Sequence, residues 1–598
     1  MNQFRKSIEN LCNKPYAFPL TLLIIFIPFF SISFFGLDVI DTSFLLFSYF
    51  NVFTNPTGCE FSFIYYFSVI LGGFFHIINP SGGIFYYKMI SILFYFMSLS
   101  ITWILLKNHI NRFYIIIGIL LASSFKIPAI NISHNAMSVF IALLSLWAIY
   151  SGLKKKNIFL LLIGGVLIGI NAFTRLTNIT MIVLLLLIPA NAYLNMVPRK
   201  RWIIQFVITL FGILLGCTAI FALMRILGHW DIFLNSIDTL SSLAGSEESS
   251  HNITALILNY IGIYLRIILF FVIIFCSWVY FDKILPKVKN ISVKYTLGIG
   301  YCLLFPIITL ALLQRSWGII TPLYYMLIFL TSGYLLYQRN INSYLKLIII
   351  GNILIQIFLP IGSDGYILLS RDTLTNLSVP LILYFADIVN KERFIMVKQK
   401  YNIKLRGKIL SYIVWGVIII TAFHNIIYAT KTSGEVSWIW ERSHKIDSPL
   451  CKNIYTTREW SERVNSITSI LHRYVKPGDY MFVYTHPIVG YLTDTKPYLP
   501  CSCPMLFYPS VSYLNLKIRD AENIIKEKPI VIIDNFGVEN SEKESFIKKN
   551  KNWSAMKDFL VRHKYGVTWK NQYYIILHPE SNTPAQFSDT INYPLIIN

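Results

Sequence analysis

Charge is what this 598-residue chain has least of: 14% of its residues are Asp, Glu, Lys or Arg, against 55% hydrophobic. A soluble protein of this length would divide into about four domains of ~150 residues, and so apolar a composition excludes that arrangement. Acids are the scarcer sign, 30 against 52 Lys+Arg. The sequence has no Walker A, G-x-G-x-x-G, H-E-x-x-H or G-x-S-x-G pattern, so nucleotide hydrolysis, dinucleotide redox chemistry and the common hydrolase mechanisms lack local support. Also missing is an A-x-A-like cleavage site after the first apolar run, which predicts an uncleaved anchor and not a signal peptide.

What the chain does have is apolar runs of the length that crosses ~30 Å of hydrocarbon as helix, recurring from Phe18 to Tyr428 and stopping beyond Thr430. Residues 1–428 hold 31 Lys+Arg against 13 Asp+Glu, and the tail holds 21 against 17. In a soluble protein this excess would suggest nucleic acid. Here it lies in short loops between apolar runs, where it reports orientation in a lipid bilayer, and no nucleic-acid partner is expected.

The basic head Arg5, Lys6, Lys14 predicts a cytoplasmic N-terminus. Counting every apolar stretch as a crossing gives fourteen and places Lys154 to Lys156, Arg199 to Arg201 and the 391–408 loop outside, against the positive-inside rule. Treating 61–79 as interfacial or re-entrant repairs every loop together; that stretch is interrupted by Gly72-Gly73, holds His76 and ends at Asn79-Pro80. Thirteen crossings then put 24 of the 31 Lys+Arg on the cytoplasmic side and export the tail. The expected fold is a polytopic α-helical membrane protein of about thirteen transmembrane helices, residues 1–428, whose first extracytoplasmic loop covers about 36–83. Within the tail, 429–598, Tyr480 to Tyr484, Ile530 to Ile533 and Tyr573 to Leu577 read as buried strands, and Trp460 to Tyr474 and Glu542 to His563 as helices. That alternation predicts a small α/β domain. Cys59, Cys451, Cys501 and Cys503 fall in segments assigned outside, where a disulfide such as Cys451 to Cys501 or Cys503 is expected, with a Cys-x-Cys metal site as the alternative.

Directly after the first run stand Asp38 and Asp41, followed by the amphipathic stretch Thr42 to Asn51. As a solvated loop these acids would help fix topology; held at the membrane surface, one would serve as general base for an acceptor arriving from outside. This layout resembles the C-type glycosyltransferase (GT-C) superfamily, and within it the protein mannosyltransferase and lipid A aminoarabinose transferase branch. Asp41-Thr-Ser-Phe44 stands where that branch has a motif like Asp-Glu-Gly-Tyr, with Thr42 replacing the second acid. Glu60 to Tyr66 resembles its Pro-Leu-Tyr-Tyr-Trp-like entry into an interfacial helix, and Lys88 its basic residue opening the next span. Ser133-His134-Asn135 falls where the branch has a further acid, and Phe173-Thr174-Arg175-Leu-Thr177-Asn178 resembles its Thr-Lys-Gly-Pro turn.

The resemblance implies transfer of a sugar from a polyprenyl-phosphate donor to a glycan, lipid or protein acceptor on the extracytoplasmic face. Asp41, with Asp38 as alternative, would be the base, and Glu60, Lys88, His134 and Arg175 would contact substrate. A divalent metal is a cofactor of some such enzymes; the sequence does not require one. From position alone, Arg315, Asp364 and Arg371 join the candidates: Arg315 lies at a span end, where snorkelling is the alternative, and the other two sit in a loop facing the same surface. The 228–252 loop, with His229, Asp231, Glu247, Glu248 and His251, reads as a metal site or a mobile lid. Transporter, flippase and glycan polymerase are the competing readings, and abundant Asn, Ile, Lys, Phe and Tyr point to a low-GC bacterium and its inner membrane.

Overall fold

Apolar runs fold as helix because a bilayer offers backbone amides no partner, so each segment must satisfy its own. The computed structural model describes residues 2–124, 133–245, 253–290, 317–362, 376–398, 401–432, 437–484, 486–504, 510–534 and 552–579, with a few isolated residues beyond these. Glu247, Glu248, His251, Arg315, Asp364 and Arg371 lie outside the described residues. Helices occupy twelve of the thirteen expected crossings: Ala17–Ser33, Gly83–Leu106, Arg112–Ser123, His134–Lys155, Ile158–Thr174, Leu176–Leu194, Arg199–Ile226, Ile253–Val279, Trp317–Tyr337, Ser343–Phe358, Ser378–Asn390 and Gly407–Thr432. The remaining stretch, 294–313, falls almost wholly outside the described residues. Among the described residues seven helical stretches, Pro56–Ile78 included, have the length and hydropathy to cross a membrane, and shorter apolar helices of 10–17 residues accompany them. The chain is a multi-span helical membrane protein with a C-terminal α/β part.

Helix packing here uses small residues where lipid gives no hydrophobic gain. Ile158–Thr174 and Arg199–Ile226 approach through Gly165 and Gly169 on one and Gly212 and Gly216 on the other: a Cβ at Gly165 would meet the Thr209 carbonyl oxygen at 2.1 Å, and one at Gly212 would meet that of Leu162 at 2.4 Å. The opposite face of Arg199–Ile226 leaves Ile203, Val207, Phe211, Leu214 and Phe221 exposed, a stripe that acyl chains would cover.

The stretch set aside from the crossings is a 3-10 helix, Pro56–Tyr65, running into the α-helix Tyr66–Ile78. Its length and hydropathy are those of a crossing, yet its first half is sheathed by the C-terminal part. The Phe61 N–H donates to the Pro500 carbonyl at 3.2 Å, and a Cβ on Gly58 would collide with the Pro497 ring at 2.5 Å. The C-terminal part thus covers the first half of this segment.

The C-terminal part is built on a five-stranded sheet. Its strands, β1 (Tyr480–Val483), β2 (Lys496–Pro497), β3 (Ile530–Asp534), β4 (Gly566–Lys570) and β5 (Tyr574–His578), lie in the order β2-β1-β3-β5-β4. β1 pairs parallel with β2 and β3, while β5 runs antiparallel to both β3 and β4. Helices Arg458–Leu471, Val511–Ile524 and Trp553–Arg562 cover it. The expected disulfide is not formed: Cys59, Cys451, Cys501 and Cys503 are separate buried thiols. Packing ignores the sequence boundary at 428, because Phe44, Phe47, Phe61 and Phe63 from the first loop share one core with Val464, Phe482, Leu499 and Val531 of the tail.

Candidate active site

The acid loop is organised by Asp38. Its Oδ1 accepts from the backbone N–H groups of Ile40 and Asp41 at 3.1 and 3.0 Å, and its Oδ2 accepts from the Thr42 N–H at 3.0 Å and the Thr42 hydroxyl at 2.8 Å. Both oxygens therefore satisfy the orphan donors that open the helix Asp41–Asn51. Both Asp38 oxygens are thus engaged at the start of the helix, and Asp41, the loop's other candidate, is exposed in the first turn. The Thr42 hydroxyl is among the donors engaged with Asp38. Among the described residues no three His, Cys, Asp or Glu converge to hold an ion.

Lys88 and Glu60 have structural partners. Lys88, buried, donates from Nζ to the carbonyls of Phe35 and Gly36 at 2.8 and 2.9 Å, just past the end of the first span. Here a cation complements the terminal carbonyls and the negative end of the helix dipole. Glu60 lies in Pro56–Tyr65, and its Oε1 receives Lys517 Nζ at 2.6 Å and the Thr239 hydroxyl at 3.4 Å. Thr239 in turn stands 2.5 Å from the Tyr513 hydroxyl. Burial pushes the Lys517 ammonium towards neutrality, but the Glu60 carboxylate outweighs it and holds the pKa above the ordinary lysine value. The node ties the first loop and the helix Trp230–Gly245 to the tail helix Val511–Ile524.

The described part of the 228–252 loop is mainly the helix Trp230–Gly245, whose Thr239 meets Tyr513 of the tail. His229 is buried, with Nδ1 3.2 Å from the Tyr66 hydroxyl, and burial lowers its pKa despite a contact with Val52 that raises it. A buried neutral ring bonded to a tyrosine is a packing group.

A second cluster forms where Ile158–Thr174 ends. Arg175 takes extended backbone, φ −157° and ψ 126°, between that helix and the 3-10 helix Leu176–Leu186, so its side chain leaves the helical path. The buried guanidinium donates to the Thr177 hydroxyl at 2.7 Å, the Ile361 carbonyl at 2.7 Å and Asn135 Oδ1 at 3.5 Å. The Pro360 carbonyl receives the Tyr260 hydroxyl at 2.7 Å, and the Phe358 carbonyl receives that of Thr180 at 2.7 Å. Arg175 thus stands at the root of the loop that carries Asp364 and Arg371. Beside it the His134 ring stacks on Tyr65 with centroids 3.8 Å apart and planes 11° from parallel. His134 Nδ1 is buried with no hydrogen-bond partner among the described residues. Below lies a polar network in which Asn178 Nδ2 reaches Ser138 Oγ at 2.6 Å and Asn171 Oδ1 at 3.2 Å.

The structure therefore brings Arg175, His134 and Asn135 together, places Lys88 and Glu60 in load paths of the fold, and connects the acid loop to the Arg175 cluster through Pro56–Tyr65. One end of that connector packs on the Asp41 helix, with Ser62 2.6 Å from Ser48, and its last residue stacks on His134. Sequence reading missed Lys517, Thr239, Tyr513 and Tyr65 as members of these clusters.

No protein-family model matches the chain, and none of the curated proteins does. Among solved structures it is similar to the Archaeoglobus fulgidus oligosaccharyltransferase in complex with Zn and sulfate, at 12% identity and a TM-score of 0.46, covering 92% of this chain and 71% of that one. It is also similar to the archaeal oligosaccharyltransferase AglB of the same organism in complex with an inhibitory peptide and a dolichol-phosphate, at 11% identity and a TM-score of 0.45, covering 92% and 72%. At those values the functional reading rests on this chain's own residues.

Proposed function

We propose that the chain is a GT-C-type membrane glycosyltransferase that moves a sugar from a polyprenyl-phosphate donor to a glycan, lipid or protein acceptor on the extracytoplasmic face of a bacterial inner membrane. The observation that carries this is the Arg175 cluster: a buried guanidinium oriented by a hydroxyl, an amide oxygen and a main-chain carbonyl, next to the unpartnered His134 Nδ1. A planar fork held this way suits two phosphate oxygens, and the tyrosine-stacked imidazole offers a third polar contact.

In this reading the donor's phosphate lies at the headgroup level against Arg175, with Arg315, Arg371 and Asp364 as further contacts. As the glycosidic oxygen departs, negative charge grows on the phosphate, and a prepositioned cation stabilises that change more than the ground state. Asp41 takes the proton of the acceptor hydroxyl as it attacks the anomeric carbon, and direct displacement inverts that carbon. Asp38 holds Asp41 in place, and Lys88 and Glu60 act through the fold.

The test is phosphate-dependent donor binding by the full chain in lipid nanodiscs, using a polyprenyl phosphate and the matching polyprenol as probes. The parent is expected to prefer the phosphate by at least ~10-fold and Arg175→Ala to lose that preference. Equal binding of the two lipids by the parent overturns the site.

A further inference from the structure

One cavity on the C-terminal part belongs to neither cluster. A cleft of about 540 Å³ opens between the helix Arg458–Leu471, the Pro449–Cys451 turn and the helix Ile488–Thr493, well inside the range of roughly 300–1,000 Å³ typical of small-ligand sites. Polar lining comes from Asp447, Asn465, Thr468, Ser469, His472 and Thr493, and Val475, Pro477 and Leu492 supply apolar faces.

The chemistry of the wall is set by where its protons already go. The Thr468 hydroxyl donates to the Val464 carbonyl at 2.9 Å, Ser469 to Ser466 at 3.1 Å, and Thr493 to Val489 at 2.8 Å. Asn465 is spent too: its amide reaches the Lys445 carbonyl at 3.4 Å and Ser461 Oγ at 3.3 Å, while its oxygen accepts the Asp447 N–H at 2.8 Å. These hydroxyls keep only their lone pairs for a ligand, and the exposed Asp447 carboxylate adds acceptors of the same kind. The Ser448 hydroxyl, which accepts the Leu450 N–H at 3.3 Å, and the His472 ring add donors to these acceptors, a mixture that suits a ligand whose O–H groups both donate and accept. The Asp447 carboxylate disfavours phosphate, sulfate and carboxylate ligands. A cationic ligand is disfavoured by the net positive tail, with its 21 Lys+Arg against 17 Asp+Glu. C–H faces of pyranose rings match the valine, proline and leucine surfaces.

We propose that this cleft binds a neutral, hydroxyl-rich saccharide. Its position gives the binding a use. Leu450, in the turn at its rim, lies against the start of the helix Gly83–Leu106, where a Cβ on Gly83 would meet the Leu450 carbonyl at 2.1 Å. A few residues on, Tyr455 bonds both ways to the strand before the acid loop, its N–H to the Phe34 carbonyl at 2.7 Å and its carbonyl to the Gly36 N–H at 2.9 Å. The cleft therefore shares a strap, 445–455, with the segment that carries Asp38 and Asp41. Resting on the transferase reading above, the saccharide is the body of the acceptor, seated so that its growing end reaches Asp41.

The experiment is retention on an array of neutral oligosaccharides and their sulfated counterparts, using the full chain in detergent. The parent is expected to bind neutral members and not sulfated ones. Ser469→Trp, at an exposed position of the wall, should abolish retention without lowering the melting temperature. Asp447→Asn should weaken it by roughly tenfold, the value of one hydrogen bond to a charged acceptor. No neutral saccharide retained, retention that survives Ser469→Trp, or preference for the sulfated set each overturns the cleft. The two proposals fail separately: transfer by the parent with no glycan retained sinks the cleft alone, and retention with no transfer sinks the transferase alone.

Discussion

Arg175 and Lys517 are both buried cations, one at the end of a span and one in the tail, and the two regions hold them differently. Lys517 meets the Glu60 carboxylate at 2.6 Å. Arg175 is oriented by, among others, a hydroxyl, an amide oxygen and a main-chain carbonyl. A carboxylate neutralises its partner and fixes it, so the tail's ion pair is a joint between modules. At Arg175 neutral acceptors take part in aiming the fork, the geometry that the proposed phosphate contact would use.

The comparison can be broken most forcefully at the joint. Lys517→Met leaves Glu60 buried beside Thr239, and removing one partner of a buried pair costs about 3–5 kcal/mol. Chemical denaturation should show that loss, the double variant Lys517→Met/Glu60→Gln should regain most of it, and transfer per folded molecule should stay close to the parent's. Next comes Arg175→Ala, expected to lower the transfer rate ~10²–10³-fold. Arg175→Lys should recover only part of that, since a point charge lacks the fork. If Lys517→Met harms turnover more than Arg175→Ala does, the division between joint and site is wrong.

A smaller effect sharpens the acid loop. Asp38→Ala removes the cap of the helix Asp41–Asn51 and should cost about 0.5–2 kcal/mol, with a rate loss that Asp38→Asn, which keeps an acceptor oxygen, largely repairs. The smallest effect is a pH dependence in the tail. Burial raises the Glu522 pKa, but His563 at 2.5 Å and Arg562 at 2.9 Å outweigh it and hold the carboxyl below its ordinary range. A depressed carboxylate stabilises the fold above its unfolded pKa of about 4.3, and that contribution disappears as pH falls through the lower folded value. Glu522→Gln should flatten this acid limb of the melting curve slightly.

The helices and the central strands were legible because their signal is local. Apolar run length marked the spans, and the buried runs at 480–484, 530–533 and 573–577 became β1, β3 and β5. Charge bookkeeping across loops singled out 61–79, which the tail half covers. The joint was not legible. Glu60 and Lys517 are 457 residues apart, and a lysine on an amphipathic helix reads as solvated until the covering surface is known. His229 and Asp231 made the 228–252 loop read as polar, and the burial of Phe233 and Thr239 on the same stretch was not legible until Pro56–Tyr65 and the tail were seen to pack on it. Cys451 and Cys501 suggested a bridge from compartment alone, and the fold buries each as a separate thiol.

The central claim is that Asp41 does chemistry while Asp38 supports it. The direct measurement is transfer of labelled sugar from a polyprenyl-phosphate donor in proteoliposomes, comparing the parent, Asp41→Asn and Asp38→Asn. The account predicts product from the parent, a loss of at least ~10²-fold in Asp41→Asn with donor binding unchanged, and a far milder loss in Asp38→Asn. Donor that crosses the bilayer without product, indifferent to Asp41→Asn, would contradict it in favour of a flippase.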